Sequence, residues 1–117
     1  MAGEPQADCV FCKIVAGGIP ATVLRKTDHT IAFRDINPQA PTHILVIPHA
    51  HYANAAELAA AEPLIAAELL AEAGEAARED GLDAYRLIFN TGAGAGQTVF
   101  HAHVHVLGGK PLREGMV

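Results

Sequence analysis

Near the end of the chain runs His101-Ala102-His103-Val104-His105-Val106-Leu107, in which three histidines alternate with small or apolar residues. A β-strand has a side-chain period of two, so the three imidazoles are predicted to share one face while Ala102, Val104 and Val106 share the other. Same-face side chains lie about 6.5–7 Å apart, so a row of imidazoles can surround one phosphate. Histidine suits both nucleophilic attack and proton donation, because its pKa lies near neutrality and its two nitrogens act separately.

Other interpretations of this segment stay open. Alternating histidines also bind zinc in hydrolases, and one or two of them could be buried sheet residues without chemistry. Just before the segment, residues 90–98 contain three alternate glycines, whose backbone N–H groups can approach an anion closely. No Lys-Ser/Thr pair follows and a strand comes next, so this is neither a P-loop nor a dinucleotide fingerprint. It is either a hairpin loop or an oxyanion cradle.

Composition and charge indicate one globular domain over residues 1–117, with the small and polar residues 1–7 frayed. Half of the residues are apolar and 18% are charged, as in folded domains. The net charge of −5 argues against a nucleic-acid binder, which needs a basic stripe, but not against a mononucleotide. No secretory signal and no bilayer-spanning run are recognised, so we expect a cytoplasmic protein without membrane contact.

Two cysteines, Cys9 and Cys12, lie three positions apart. Without a secretory signal, this spacing suggests a metal or redox site more than a structural disulfide. The alternative is a pair of plain thiols.

Local patterns predict an α+β domain with a five-stranded, mostly antiparallel sheet and one long and one short helix. The long helix begins near Pro63 and ends at Gly81, and a short turn capped by Asn54 precedes it. The stripe Ile65, Leu69, Ala73 and Ala76 is its apolar face. The short helix covers residues 9–16, capped by Asp8, and the strands are predicted at residues 21–25, 30–34, 43–47, 85–90 and 99–107.

The sequence resembles the histidine triad (HIT) family. Within that family it is most similar to the Hint branch, which consists of nucleoside phosphoramidases. The His-apolar-His-apolar-His-apolar-apolar signature is matched at 101–107, and the stretches 9–15, 32–43 and 96–101 also look like that branch. The resemblance covers residues 8–109. It implies a HIT-like fold, a homodimer whose two five-stranded sheets join into one ten-stranded sheet, and a purine nucleotide bound in a cleft on each subunit.

The resemblance also implies roles for individual residues. His103 is the nucleophile toward the α-phosphate, His101 and His105 flank it, and His43 supports the phosphate site. Thr98 stands where the family usually has Ser, so the hydroxyl that contacts the phosphate and leaving group is retained. The other residues implied in nucleotide binding are Asp35 at the ribose, Asn90, Gly96 and Gln97 at the phosphate, and Phe11, Ile14, Phe33 and Ile36 at the base. Asp35 could instead be a turn residue. The four apolar residues named at the base could instead be ordinary core residues.

Cys9, Cys12, His51 and His101 resemble the zinc set of some bacterial members, and two thiolates with two imidazoles satisfy a closed tetrahedral site. The expected zinc is structural, and no cofactor is expected for catalysis. The sequence departs from the family at the end, because residues 110–117 lack the Trp of eukaryotic Hint tails.

The predicted function is hydrolysis of the P–N bond of adenosine or guanosine 5′-monophosphoramidates through a covalent nucleotidyl-histidine. The alternatives are a dinucleoside polyphosphate hydrolase, a nucleotide-binding regulator with little turnover, and a metallohydrolase with zinc at the triad. Nucleotidyl transfer is disfavoured, because the transferase branch has Gln at the position of His105.

Overall fold

The computed structural model describes residues 3–113, so the expectations for residues 1, 2 and 114–117 lie outside it. In chain order its elements are α1 (Val10–Val15), β1 (Val23–Lys26), β2 (Thr30–Arg34), β3 (Thr42–Pro48), α2 (Ala55–Ala61), α3 (Pro63–Glu79), β4 (Tyr85–Ile88) and β5 (Val104–Gly108). The strands form one antiparallel sheet in the order β1-β2-β3-β5-β4. The predicted α+β class and five-stranded sheet are confirmed.

Within residues 3–113 three α-helices form where one long and one short helix were predicted, and Ala93–Ala95 form a 3₁₀ turn. The additional helix is α2, in which the Asn54 side chain accepts a hydrogen bond from the Glu57 N–H at 2.9 Å. Pro63 begins α3 as predicted, because a proline at the first helical position removes no intrahelical hydrogen bond. The N-cap of α1 is Cys9 and not Asp8, since the Cys9 Sγ accepts from the Cys12 N–H.

The last strand begins at Val104, so the prediction of a strand over 99–107 is wrong at its start. His101 and His103 lie in the chain just ahead of β5, where the Ala102 N–H donates to the Tyr52 carbonyl at 2.7 Å. The predicted alternation of faces nevertheless holds. Ala102, Val104 and Val106 belong to the buried cluster on the α3 side of the sheet.

The sheet is covered differently on its two faces. On one face α3 packs with Leu69, Ala73 and Ala76 buried and Ile65 against the same cluster, which confirms the predicted stripe. On the other face, α1 contributes Phe11 to a smaller cluster with Ile31, Phe33, Leu45 and Ile47. The histidines share this second face, because the Phe11 ring lies 5.8 Å from His101 and 5.1 Å from His103 between centroids. The second face therefore carries the candidate site.

Within the segment before α1, Gly3 and Gln6 make hydrogen bonds to the rest of the domain, and the fraying of residues 1–7 stays a prediction. Gly3 and His51 exchange two backbone hydrogen bonds of 3.0 and 3.1 Å. The Gln6 N–H points to the Cys12 Sγ at 3.4 Å. No helix within residues 3–113 has the length and apolar character to cross a bilayer.

Candidate active site

His103 has one ring nitrogen held by the backbone and lines a large cavity. Its Nδ1 lies 2.8 Å from the His101 carbonyl oxygen. A carbonyl can only accept, so the hydrogen-bond network assigns the proton to Nδ1 and leaves a lone pair on Nε2. The ring is buried, and burial lowers its pKa, which favours the neutral form. His103 thus has the tautomer of a nucleophile.

The tautomer of His105 is set through a chain of two hydrogen bonds. The Gln39 N–H donates to the His43 Nδ1 at 3.0 Å, so a neutral His43 carries its proton on Nε2. That Nε2 lies 2.9 Å from the His105 Nδ1, which must then accept. The remaining proton of His105 is on Nε2, and its ring centroid lies 5.0 Å from that of His103. His105 can therefore donate a hydrogen bond beside the free Nε2 of His103.

Burial governs the charge of this histidine group. It lowers the pKa of His105 to about 4, with His103 and His43 adding to the effect. The pKa of His43 is also lowered by burial, against the opposing charge of Asp35. The rings are therefore neutral near pH 7 before an anion binds.

A cavity of about 660 Å³ opens over these histidines, a size that suits a small-molecule site. The sequence-predicted residues that line it are Phe11, Ile14, Phe33, Asp35, Ile36, His43, Gly96, Thr98, His103 and His105. Phe11 and Phe33 meet edge to face at 5.7 Å between centroids, and Ile36 is 97% exposed at the rim. One region of the cavity thus has apolar walls, while its floor has hydrogen-bonding imidazoles.

Asp35 lines the cavity and also belongs to a turn. One carboxylate oxygen accepts from the Asn37 N–H at 2.8 Å, and the other lies 3.4 Å from the His43 Nε2. Asp35 is thus a turn residue whose carboxylate also lies in the cavity wall, and its contact with the ribose stays a prediction.

Asn90 and Gln97 hold the glycine loop, residues 90–98, and do not line the cavity. The Asn90 Nδ2 donates to the Ala95 carbonyl at 3.0 Å, and the Gln97 side chain accepts from the Gly92 N–H at 2.8 Å. The Gln97 amide also donates to the Ala53 carbonyl at 2.7 Å. Of this loop, Gly96 and Thr98 reach the cavity.

His101 faces a separate cluster with Cys9, Cys12 and His51, as the zinc prediction requires. The candidate ligand atoms of the four residues all lie within 4.8 Å of one another. The His101 Nε2 donates to the Pro48 carbonyl at 2.8 Å, so its Nδ1 lone pair faces the Cys9 and Cys12 sulfurs at 3.4 and 3.5 Å. A ligand histidine with its second nitrogen bound to a carbonyl is the usual arrangement around zinc. The four residues fit a tetrahedral metal ion.

A second group with suitable distances, Asp35, His43 and His105, does not fit a metal. A metal on the His43 Nε2 would require the proton of a neutral ring on Nδ1. That position already accepts the Gln39 N–H, so two donors would face each other. The hydrogen bonds of His43 therefore do not support the alternative of a metallohydrolase with zinc at the triad histidines.

Comparison with known proteins agrees with this geometry. The family profile of the HIT domain matches residues 16–112. This chain belongs to the HIT family. It is 40% identical over 107 residues to the purine nucleoside phosphoramidase of Escherichia coli K12, covering 90% of each chain. It is also 44% identical over 106 residues to an uncharacterized HIT-like protein of Synechococcus elongatus, covering 90% of this chain and 93% of the relative.

A solved HIT family hydrolase from Clostridium thermocellum superposes with a TM-score of 0.91 at 40% identity, covering 96% of this chain and 99% of that one. The HIT fold is therefore shared over nearly the whole chain.

The sequence analysis did not identify some of the residues that line the cavity over the histidines. Ile19, Pro20 and Ala21 follow α1 and line the cavity beside Phe33, and Gln39 contributes from the loop before β3. The glycine pair Gly17-Gly18 signals a turn after the helix, but nothing in these residue types points to a ligand.

Proposed function

We propose that this HIT protein hydrolyses the P–N bond of purine nucleoside 5′-monophosphoramidates, with adenosine or guanosine as the nucleoside. The observation that carries the proposal is the His103 ring, whose Nδ1 is held by a carbonyl at 2.8 Å while its other nitrogen is free to attack. The phosphoramidase relative, at 40% identity, supports the choice of leaving group.

In the first step the His103 Nε2 attacks phosphorus and forms a new P–N bond. The bond to the substrate nitrogen breaks with its electron pair, that nitrogen takes up one proton from solvent water, and an amine leaves. Because the attacking ring keeps the proton on Nδ1, the nucleotidyl-histidine is cationic and the His101 carbonyl stabilises it. The His105 Nε2–H and the Thr98 hydroxyl stabilise the charge on the phosphate oxygens.

In the second step water attacks the same phosphorus. The bond to the His103 Nε2 breaks and its electron pair returns to the ring. The nucleoside monophosphate is released with the water oxygen and one of its protons, and the other proton goes to solvent. His103 regains its starting tautomer, because the His101 carbonyl still requires a proton on Nδ1.

The nucleoside part is assigned to the remaining walls. Phe11, Ile14, Phe33 and Ile36 form an apolar slot for a purine, and the aromatic edges favour a flat ring. Asp35 lies between this slot and His43, where its carboxylate can accept from both ribose hydroxyls.

Two further features belong to the same proposal. A zinc ion held by Cys9, Cys12, His51 and His101 would fix the segment before α1 to the sheet and supply stability without touching the nucleophile. A homodimer would extend the sheet to ten strands, and β4 offers an edge with Tyr85 exposed and the exposed Phe89 just beyond it.

The test is the variant His103→Ala, with His29→Ala as a matched control because that side chain is 57% exposed and lies outside the cavity. We expect His103→Ala to lose turnover of an adenosine phosphoramidate by at least about 10³-fold while nucleotide affinity stays within a few-fold. Mass spectrometry of rapidly quenched wild-type enzyme should find one nucleotidyl group on His103. Substantial turnover by His103→Ala, or faster cleavage of a diadenosine polyphosphate than of the phosphoramidate, would overturn the proposal.

A further inference from the structure

A second groove, of about 300 Å³, adjoins the main cavity on the α1 side. Val10, Thr98 and Val99 line both spaces, so these three residues form the ridge between them. The other walls of the groove come from Gln6, Asp8, Cys9, His51 and Phe100. Nothing in the proposed binding of the nucleoside uses this groove.

The groove is placed to receive one of the two substituents on phosphorus. The nucleoside is assigned to the apolar slot and Asp35, none of which lines the groove. Thr98 lines both the main cavity and the groove, and its hydroxyl is the group proposed above to contact the phosphate. A substituent that leaves the phosphate across Thr98 therefore enters the groove without overlapping the base. We propose that this groove is the subsite for the leaving amine, an inference that rests on the proposed phosphoramidase function.

The walls define the chemistry of that amine. Val10 is 38% exposed and Phe100 is 50% exposed, so both offer apolar surface to a bound stem. The carboxylate of Asp8 is exposed, and no residue in the described range 3–113 forms an ion pair with it. If the cluster of Cys9, Cys12, His51 and His101 holds a divalent ion, the two thiolates cancel the charge of that ion. The carboxylate of Asp8 then gives the groove a net negative charge. The subsite therefore fits an amine whose apolar stem ends in a second, cationic group.

A matched set of substrates tests the subsite. We would compare adenosine 5′-phosphoramidates with three leaving groups: ammonia, butylamine and 1,4-diaminobutane joined through one nitrogen. The last two share a stem and differ in the terminal ammonium. An exposed ion pair contributes up to about 1 kcal/mol, so kcat/KM at low salt should favour the ammonium stem by up to about fivefold and lose that preference at high salt.

Variants locate the effect in the groove. Asp8→Asn should bring the ratio of ammonium to butyl substrate close to one, whereas Asp28→Asn, an exposed carboxylate in the β1–β2 turn, should keep the wild-type ratio. Phe100→Ala should lower kcat/KM for both stems by about two- to fivefold relative to the ammonia compound, because apolar contact is lost. Metal content is measured for each variant, since Asp8 precedes Cys9.

Dissociation constants measured calorimetrically with His103→Ala separate the subsite from the chemistry. If wild-type enzyme fails to cleave the phosphoramidates but the ammonium preference in binding follows Asp8, the proposed function falls and the subsite stands. If cleavage is normal while the three ligands bind alike, or Asp8→Asn and Asp28→Asn behave alike, the subsite falls. In that case the groove is only the solvent opening of the Cys9 cluster.

Discussion

The carboxylate of Asp80 joins the end of α3 to two strands, and its removal should destabilise the domain in a pH-dependent way. One Asp80 oxygen accepts from the Arg34 Nη2 at 2.6 Å, and the other accepts from the Arg34 Nη1 at 3.0 Å and the Thr42 hydroxyl at 2.5 Å. These hydrogen bonds lower the pKa of Asp80 from 3.8 to about 2. The perturbation is Asp80→Asn, which keeps the shape and removes the charge.

The lowered pKa of Asp80 gives the size of the expected loss in the free energy of unfolding. One pKa unit corresponds to about 1.4 kcal/mol, so a depression of nearly two units is worth about 2.5 kcal/mol. Solvent reduces this figure, because the side chains of Arg34 and Asp80 are 38% and 22% exposed, and we expect about 1–2 kcal/mol. The folded-state pKa lies below the unfolded one. The contribution is therefore complete above about pH 5 and is lost as the pH falls from about 4 to 2.

Urea unfolding of wild type and Asp80→Asn at fixed protein concentration, from pH 7 down to pH 2, measures the difference. The control is Glu75→Gln, which breaks an ion pair with Arg78 on the same helix where both side chains are largely exposed, and should change the free energy of unfolding by less than about 0.5 kcal/mol. A destabilisation by Asp80→Asn that is independent of pH, or equal to that of Glu75→Gln, would refute the reasoning.

Three further outcomes are expected at the site. The acid limb of kcat/KM should lie below pH 6.5, because burial holds His105 and the facing His43 and His103 neutral; a limb above pH 7 would contradict this. Asp35→Ala should weaken ribonucleotides at least about tenfold more than 2′,3′-dideoxy analogues in calorimetry, and equal losses would remove Asp35 from the ribose. Chelation, or Cys9→Ser with Cys12→Ser, should lower the melting temperature by about 10 °C or more with near-normal turnover at low temperature. Turnover lost on chelation without unfolding, and restored by zinc, would instead favour a metal-dependent reaction.

The fold was predictable where periodicity carried the information. The two faces around residues 101–107 follow from alternation alone, and α3 follows from the spacing of Leu69, Ala73 and Ala76. The start of β5 was not predictable, because Gln97 bonds to the Ala53 carbonyl from a distant part of the chain and the Ala102 N–H is taken by Tyr52. Local propensity cannot anticipate such partners.

The site was predictable where the chemistry resides in side-chain type. The functional groups of the histidines, the cysteines and Asp35 identify these residues as candidates from the sequence. By contrast, Ile19, Pro20 and Ala21 line the cavity only because the chain turns after α1. Asn90 and Gln97 carry amides suited to a phosphate, yet the loop geometry uses those amides to hold its own backbone. Residue type thus indicates what a side chain can do, and packing decides which partner it has.

The three histidines of the signature show why alternation alone does not assign roles. Each has the same side chain, but each ring meets a different backbone or side-chain partner. The Pro48 carbonyl takes the His101 Nε2–H, so the lone pair of that ring faces the thiols. The His101 carbonyl accepts from the His103 Nδ1–H, so the lone pair of that ring is on Nε2 and free. The Gln39 N–H acts through His43 to leave the His105 proton on Nε2. Backbone N–H and C=O groups occur at every residue, so only the fold can decide which of them fixes the proton of each imidazole and thereby separates the roles proposed for the three histidines.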